Sequence, residues 1–186
     1  MMAIPAEATA LYDAMVVCVS KGVVMKTMRN AADIVALRRC AAELPATPDR
    51  FAALIVLHQL WTPTRMRHFV ENYKAGRSLE ESVKGVDARP TATGQFEDVN
   101  LRAGLIKGQT NEAAITSLVT THRKELGTVA RQLEEQWGDY NFAKLVKIAK
   151  QLPRFGNYHS THLVRSLTYA IPCRAPKMDW KTLTAM

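Results

Sequence analysis

The run FAALIVLHQLW, residues 51–61, is apolar nearly all round from Phe51 to Leu57, the pattern of a helix packed against neighbours on several sides. Such a helix needs other helices to cover it, and the flanking sequence supplies them. Asp49 stands at its expected N-cap, and Thr62 followed by Pro63 marks the start of the next helix, PTRMRHFVENYKAG, with Gly76 as its stop. Upstream, Asn30 caps an expected helix carrying Ile34, Leu37 and Ala41, which must end before Pro45 because a residue preceding proline is pushed out of the α region. Downstream, Ser78 with Glu81 three residues on fits a capping box. A further helix is expected from about Ala6 to Ser20, ending near Gly22.

Apolar residues recur at three- and four-residue spacing almost throughout, and period-two runs are nearly absent, so the expected class is all-α. The segment GVDARPTATG, residues 85–94, lacks periodicity and reads as the longest loop. Beyond it come a helix about Phe96 to Leu105, a turn at Lys107 to Gln109, and a helix capped by Thr110 or Asn111. The pattern then continues from Val119 to Gln136 with a break expected around Gly127. The 186 residues suit one domain, 1–186, with room for two lobes, 1–85 and 95–186.

Formal net charge is +8, from 25 Lys plus Arg against 17 Asp plus Glu, which favours an acidic partner, nucleic acid being the commonest. Cys18, Cys40 and Cys173 are widely spaced and form no CxxC pair, so neither a disulfide framework nor a zinc ribbon is expected. The apolar patch from Met15 to Val19 follows Glu7 and Asp13 without a basic lead, unlike a signal peptide. No run approaches the ~18 apolar residues of a membrane span. A soluble chain in a reducing cytoplasm, with no membrane partner, is the expectation.

The stretch that carries a mechanism is NFAKLVKIAKQLPRFGNYHSTHLVRSLTYAI, residues 141–171. Phe142, Leu145, Val146, Ile148, Ala149 and Leu152 fall on one helix face, Pro153 ends that helix, and a second begins near Tyr158. A turn this tight leaves N–H groups unpaired at the start of the second helix, where they and the helix dipole can hold a phosphate oxygen. Lys144, Lys147 and Lys150 recur every three residues and, with Arg154 and Arg165, can form a basic surface beside the hairpin. The same residues also read as an ordinary turn between helices with a solvated face. A second basic cluster, Arg65, Arg67 and His68 with Tyr73, Lys74 and Arg77, reads either as a phosphate- and base-contacting surface or as the wet side of an amphipathic helix.

Leu152, Pro153, Arg154, Phe155 and Gly156 resemble the helix-hairpin-helix motif of the DNA glycosylase superfamily, which reads approximately Leu-Pro-Gly-hydrophobic-Gly. Arg154 replaces the first glycine. The resemblance spans residues 141–171 and implies a DNA-backbone grip by Arg154, Phe155, Gly156, Asn157, Lys150 and Arg165, joined by Arg65 and Arg67. Lyase-type members begin the second helix with a catalytic lysine and carry an aspartate further on. Here the aligned positions are Asn157, Tyr158 and His159, and Asp179 falls roughly where that aspartate lies.

The missing lysine, the short chain and the lack of an iron–sulfur cysteine set make the sequence more similar to a phage-encoded branch. That branch attaches amino acids or amines to activated hydroxymethylpyrimidines in DNA. The resemblance then implies a host cytoplasm and an amino acid or amine co-substrate. Displacing a DNA-linked pyrophosphate with an amine needs a base and cationic groups for the leaving diphosphate. The candidate catalytic residues are His159, His162, Tyr158 and Asp179. His159 and His162, at i and i+3, share a helix face but lack a third ligand, so no metal and no cofactor is expected. His58 and His68 read as core or edge histidines and His122 as surface. The competing readings are a non-enzymatic helix-hairpin-helix DNA-binding module and a helical protein-interaction domain.

Overall fold

The computed structural model describes residues 32–60, 62–86, 111–138 and 141–171. The expected helix at 6–20, most of the expected 85–94 loop, the expected helix at 96–105, Cys18, Cys173 and Asp179 lie outside them. The described chain is all-α, with helices α1 (Ala32–Glu43), α2 (Arg50–Gln59), α3 (Pro63–Lys74), α4 (Leu79–Val83), α5 (Asn111–Val119), α6 (Arg123–Gln136), α7 (Phe142–Ala149) and α8 (Asn157–Ala170). None of the described helices is long and apolar enough to cross a membrane.

The run at 51–61 does build the centre. Residues Phe51 to Gln59 of α2 are all buried, and the helix packs against α1, α3, α5, α6 and α8. Leu54, Ile55, Val56 and Leu57 are at most 1% exposed, and removing each side chain from water contributes about 1.5–3 kcal/mol. Phe51 meets Trp137 edge to face at 5.6 Å, which ties the start of α2 to the end of α6. Helices on both sides of residues 87–110 touch, α4 against α5 and α2 against α6.

The expected Asn30 cap, Gly22 stop and turn at Lys107 to Gln109 lie outside the described residues; within them the start and stop signals act as the sequence predicts, with two exceptions. Thr62 accepts from the Arg65 N–H at 3.4 Å, and Pro63 opens α3. Ser78 and Glu81 close a reciprocal capping box. Ile34, Leu37 and Ala41 of α1 are buried, and that helix stops at Glu43, before Pro45. Asp49, however, precedes α2 without a side-chain hydrogen bond to it, so the first turn is started by the Ala53 N–H bond to the Asp49 carbonyl alone. The expected break at Gly127 lies elsewhere: the chain leaves the helix at residues 120–122, and Gly127 sits inside α6. The Thr120 hydroxyl donates to the Thr116 carbonyl at 2.9 Å, and such back-bonding by a β-branched residue competes with helix continuation. Cys40 is a free, buried thiol, pushed above its ordinary pKa by burial first and by the neighbouring Glu43 charge second.

Candidate nucleic-acid interface

Asn141 caps α7 by accepting from the Lys144 N–H at 3.0 Å, and Leu145, Ile148 and Ala149 turn inward. Helices α7 and α8 pack against each other. Between them the chain tightens: the Gln151 N–H donates to the Ile148 carbonyl and the Leu152 N–H to the Ala149 carbonyl, both three residues back. The Phe155 N–H then donates to the Leu152 carbonyl at 3.1 Å across Pro153 and Arg154. Arg154 has φ +67°, the one positive φ on a non-glycine among the described residues. Proline at the second place, a positive φ at the third and a bond from the fourth residue to the first form the pattern of a type II turn, which favours glycine at the third place.

Arg154 therefore occupies, in a left-handed conformation, the position where the resembled motif has its first glycine. That conformation costs a non-glycine residue about 1–2 kcal/mol, so the surroundings must enforce it. Leu152 and Phe155, 2% and 5% exposed, anchor the turn from both sides, while Arg154, Gly156, Asn157 and Tyr158 face outward. Gly156 is the N-cap of α8 and offers no side-chain cap. The first intrahelical bond runs from the Ser160 N–H to the Gly156 carbonyl, and the amides of Gly156, Asn157, Tyr158 and His159 have no acceptor among the described residues.

The cations divide into two groups. Lys144, Lys147, Lys150 and Arg154 are exposed on α7 and the turn, and Arg165 is half-buried on α8. The Lys144 ammonium donates to the Gln136 side-chain carbonyl at the end of α6. No Asp or Glu occurs in residues 141–171, so the segment itself carries only positive side-chain charge. On α3 the picture differs. Arg67 is exposed, but Arg65 is 4% exposed. Tyr73 is buried, lies 2.9 Å from the Thr47 hydroxyl and stacks on Phe69, while Lys74 pairs with Glu43 at 3.0 Å. Tyr73 is thereby committed to the core rather than to a stacking surface. His68 is structural as well, with Nε2 at 2.8 Å from the Lys84 carbonyl.

The imidazoles form a row leading inward from the hairpin. Tyr158 is 70% exposed, and its ring lies 5.4 Å from His159 and 5.7 Å from His162. His159 also lies 6.2 Å from Phe155. His162 Nδ1 is 3.2 Å from the Ser166 hydroxyl, and its ring lies 5.9 Å from that of His58, which is 2% exposed. The Gln59 amide nitrogen is 2.9 Å from His58 Nδ1, while Gln59 Oε1 is buried without a hydrogen-bond partner among the described residues. Sequence reading took His58 as a core residue and overlooked Gln59 and Ser166. The signal for Ser166 was its place four residues after His162, one helical turn on. The contact of His58 with His162 joins α2 to α8, and local spacing cannot reveal it. Compared with known proteins, the chain matches no family model, no curated protein and no solved structure.

Proposed function

We propose that the chain binds nucleic acid by its phosphate backbone at the α7–α8 hairpin. The observation that carries this reading is the set of amides from Gly156 to His159, which follow an outward-facing turn and have no acceptor among the described residues. A phosphate oxygen satisfies such donors, and the positive pole of α8 favours its charge. Lys147, Lys150 and Arg154 add attraction that is independent of base sequence. Tyr158 offers an exposed ring on which an unpaired base can stack.

The finer reading is a DNA base-modifying transferase, and the imidazole row is what favours it. His159 and His162 lie beside the proposed phosphate grip, where a base is needed to deprotonate an incoming amine. Arg154 and Arg165 carry the positive charge that a departing diphosphate requires. His162 has the better support for the role of base, since its contact with the Ser166 hydroxyl fixes the orientation of the ring.

Binding to a duplex oligonucleotide, titrated with salt, tests the first reading. The expected result is affinity that falls linearly on a log–log plot, with Arg154→Ala weakening all sequences alike and lowering the slope by about 1. Salt-independent binding, or none, overturns phosphate recognition. The transferase reading is tested by incubating DNA carrying hydroxymethyluracil diphosphate with amino acids and analysing nucleosides by mass spectrometry. A new nucleoside, lost in His162→Ala, is expected; no new product overturns it.

A further inference from the structure

We infer that a second anion site, separate from the hairpin, lies along the outward face of α6 and takes a phosphate group. An open groove of about 860 Å³, within the size range of small-molecule sites, runs there beside the turn before α2. Lys124, Gly127 and Arg131 stand at helical spacing along its wall, and Arg123 also lines it. Leu126, Val129, Ala130 and Leu133 occupy the opposite, buried face, so the cations are fixed on the groove side by the packing of the helix.

Two features of this wall have no explanation within the fold. Arg123 and Lys124 begin α6, where the positive end of the helix dipole already sits and added cations are unfavourable, and Glu125 is the single acid in that turn against the two of them. Neither they nor Arg131 make an ion pair among the described residues, although Asp49 and Glu134 line the same groove. An anion seated among the three cations relieves both the mutual repulsion and the clash with the dipole. The second feature is Gly127. Glycine inside a helix is disfavoured by roughly 1 kcal/mol relative to alanine, and here a Cβ would meet no atom within 4 Å. No close approach in the fold requires it, and its missing side chain keeps the middle of the groove open.

The ligand is a phosphate-bearing anion, from either a free nucleotide or a strand of nucleic acid. Two carboxylates against three cations leave the groove with a positive surplus, which favours a phosphate over a cation. The test titrates the full chain at low salt with inorganic pyrophosphate, ATP and a single-stranded oligonucleotide, followed by calorimetry. Pyrophosphate or ATP is expected to bind with Kd below about 1 mM, and the double variant Arg123→Gln, Arg131→Gln to weaken it about tenfold or more. Gly127→Leu is expected to block binding while leaving Tm unchanged or raised, since the new side chain enters open space. Arg154→Ala is expected to leave these titrations unchanged, which separates this site from the hairpin. If only the oligonucleotide binds and Gly127→Leu weakens it, a strand is the source of the phosphate. No binding of any probe, or binding that both groove variants leave intact, overturns the site.

Discussion

Two chain reversals in this protein use the same left-handed backbone and fill it with opposite residues. After α3 the residue is Gly76, φ +83°; the Gly76 N–H donates to the Tyr73 carbonyl at 3.1 Å and the Arg77 N–H to the Asn72 carbonyl at 3.4 Å. This pair of bonds is a Schellman motif, and glycine satisfies it without strain. After α7 the residue is Arg154, which pays no such courtesy to the backbone. Gly76 and its neighbours Ala75 and Arg77 are all exposed, whereas Arg154 is followed at once by the buried Phe155. The first turn is held by its own hydrogen bonds. The second has one turn bond, from the Phe155 N–H to the Leu152 carbonyl, and an anchor in the core besides, and that anchor lets a cation occupy a place the backbone would give to glycine.

The largest test of this contrast removes the anchor. Phe155→Ala is expected to lower unfolding free energy by about 3–5 kcal/mol in urea denaturation, from the lost burial and the cavity it leaves. It should also release the strain at Arg154, so amide exchange at Phe155 should rise beyond what global destabilisation explains. A loss under about 1 kcal/mol would mean that something other than Phe155 enforces the turn.

Exchanging the two residues sharpens the contrast at smaller scale. Gly76→Arg is expected to cost about 1–2 kcal/mol, the left-handed penalty in a turn with no anchor to enforce it. Arg154→Gly is expected to stabilise the fold by about 0.5–1 kcal/mol, because relief of the same penalty exceeds glycine's greater chain entropy. That stabilised variant should bind nucleic acid less tightly, since it lacks a cation at the hairpin. Stability and affinity moving in opposite directions is the signature of strain kept for function. If both rise together, Arg154 takes no part in binding.

The helices of the described chain were legible because their boundaries are written locally. Thr62–Pro63, Ser78 with Glu81, and Pro45 each act through bonds or sterics within a turn. Gly127 misled for the same reason: its weak helix propensity is local, but Leu126, Val129 and Leu133 bury one face of α6 and carry the helix through it. The site was half legible. The Leu-Pro-x-hydrophobic-Gly run located the turn, and the i, i+3 spacing of His159 and His162 put both on one face of α8, where each meets the Tyr158 ring. What it did not contain was tertiary: Tyr73 going to the core, Arg65 lying 4% exposed, and His58 arriving from α2 against His162.

The smallest expected effect separates the two turns by charge. Just beyond Gly76, the Ser78 backbone N–H donates to the Glu81 carboxylate at 3.0 Å and the Ser78 hydroxyl at 2.9 Å. The backbone bond chiefly, and the hydroxyl next, hold the Glu81 carboxyl below the usual carboxylate range. A carboxyl lowered in the folded state contributes stability above its unfolded pKa and loses it as pH falls through the folded value. Acid should therefore loosen the start of α4, seen as faster amide exchange at Ser78 that tracks the Glu81 titration. The α7–α8 turn has no carboxylate anywhere in residues 141–171, so its amides should not respond over the same range. Glu81→Gln removes the titration, and Ser78 exchange that still followed acid in that variant would assign the effect to another group. With the titration gone and the Arg154 turn unchanged, the two reversals differ in what supports them: a proton-sensitive cap beside the glycine, and a buried phenylalanine next to the arginine.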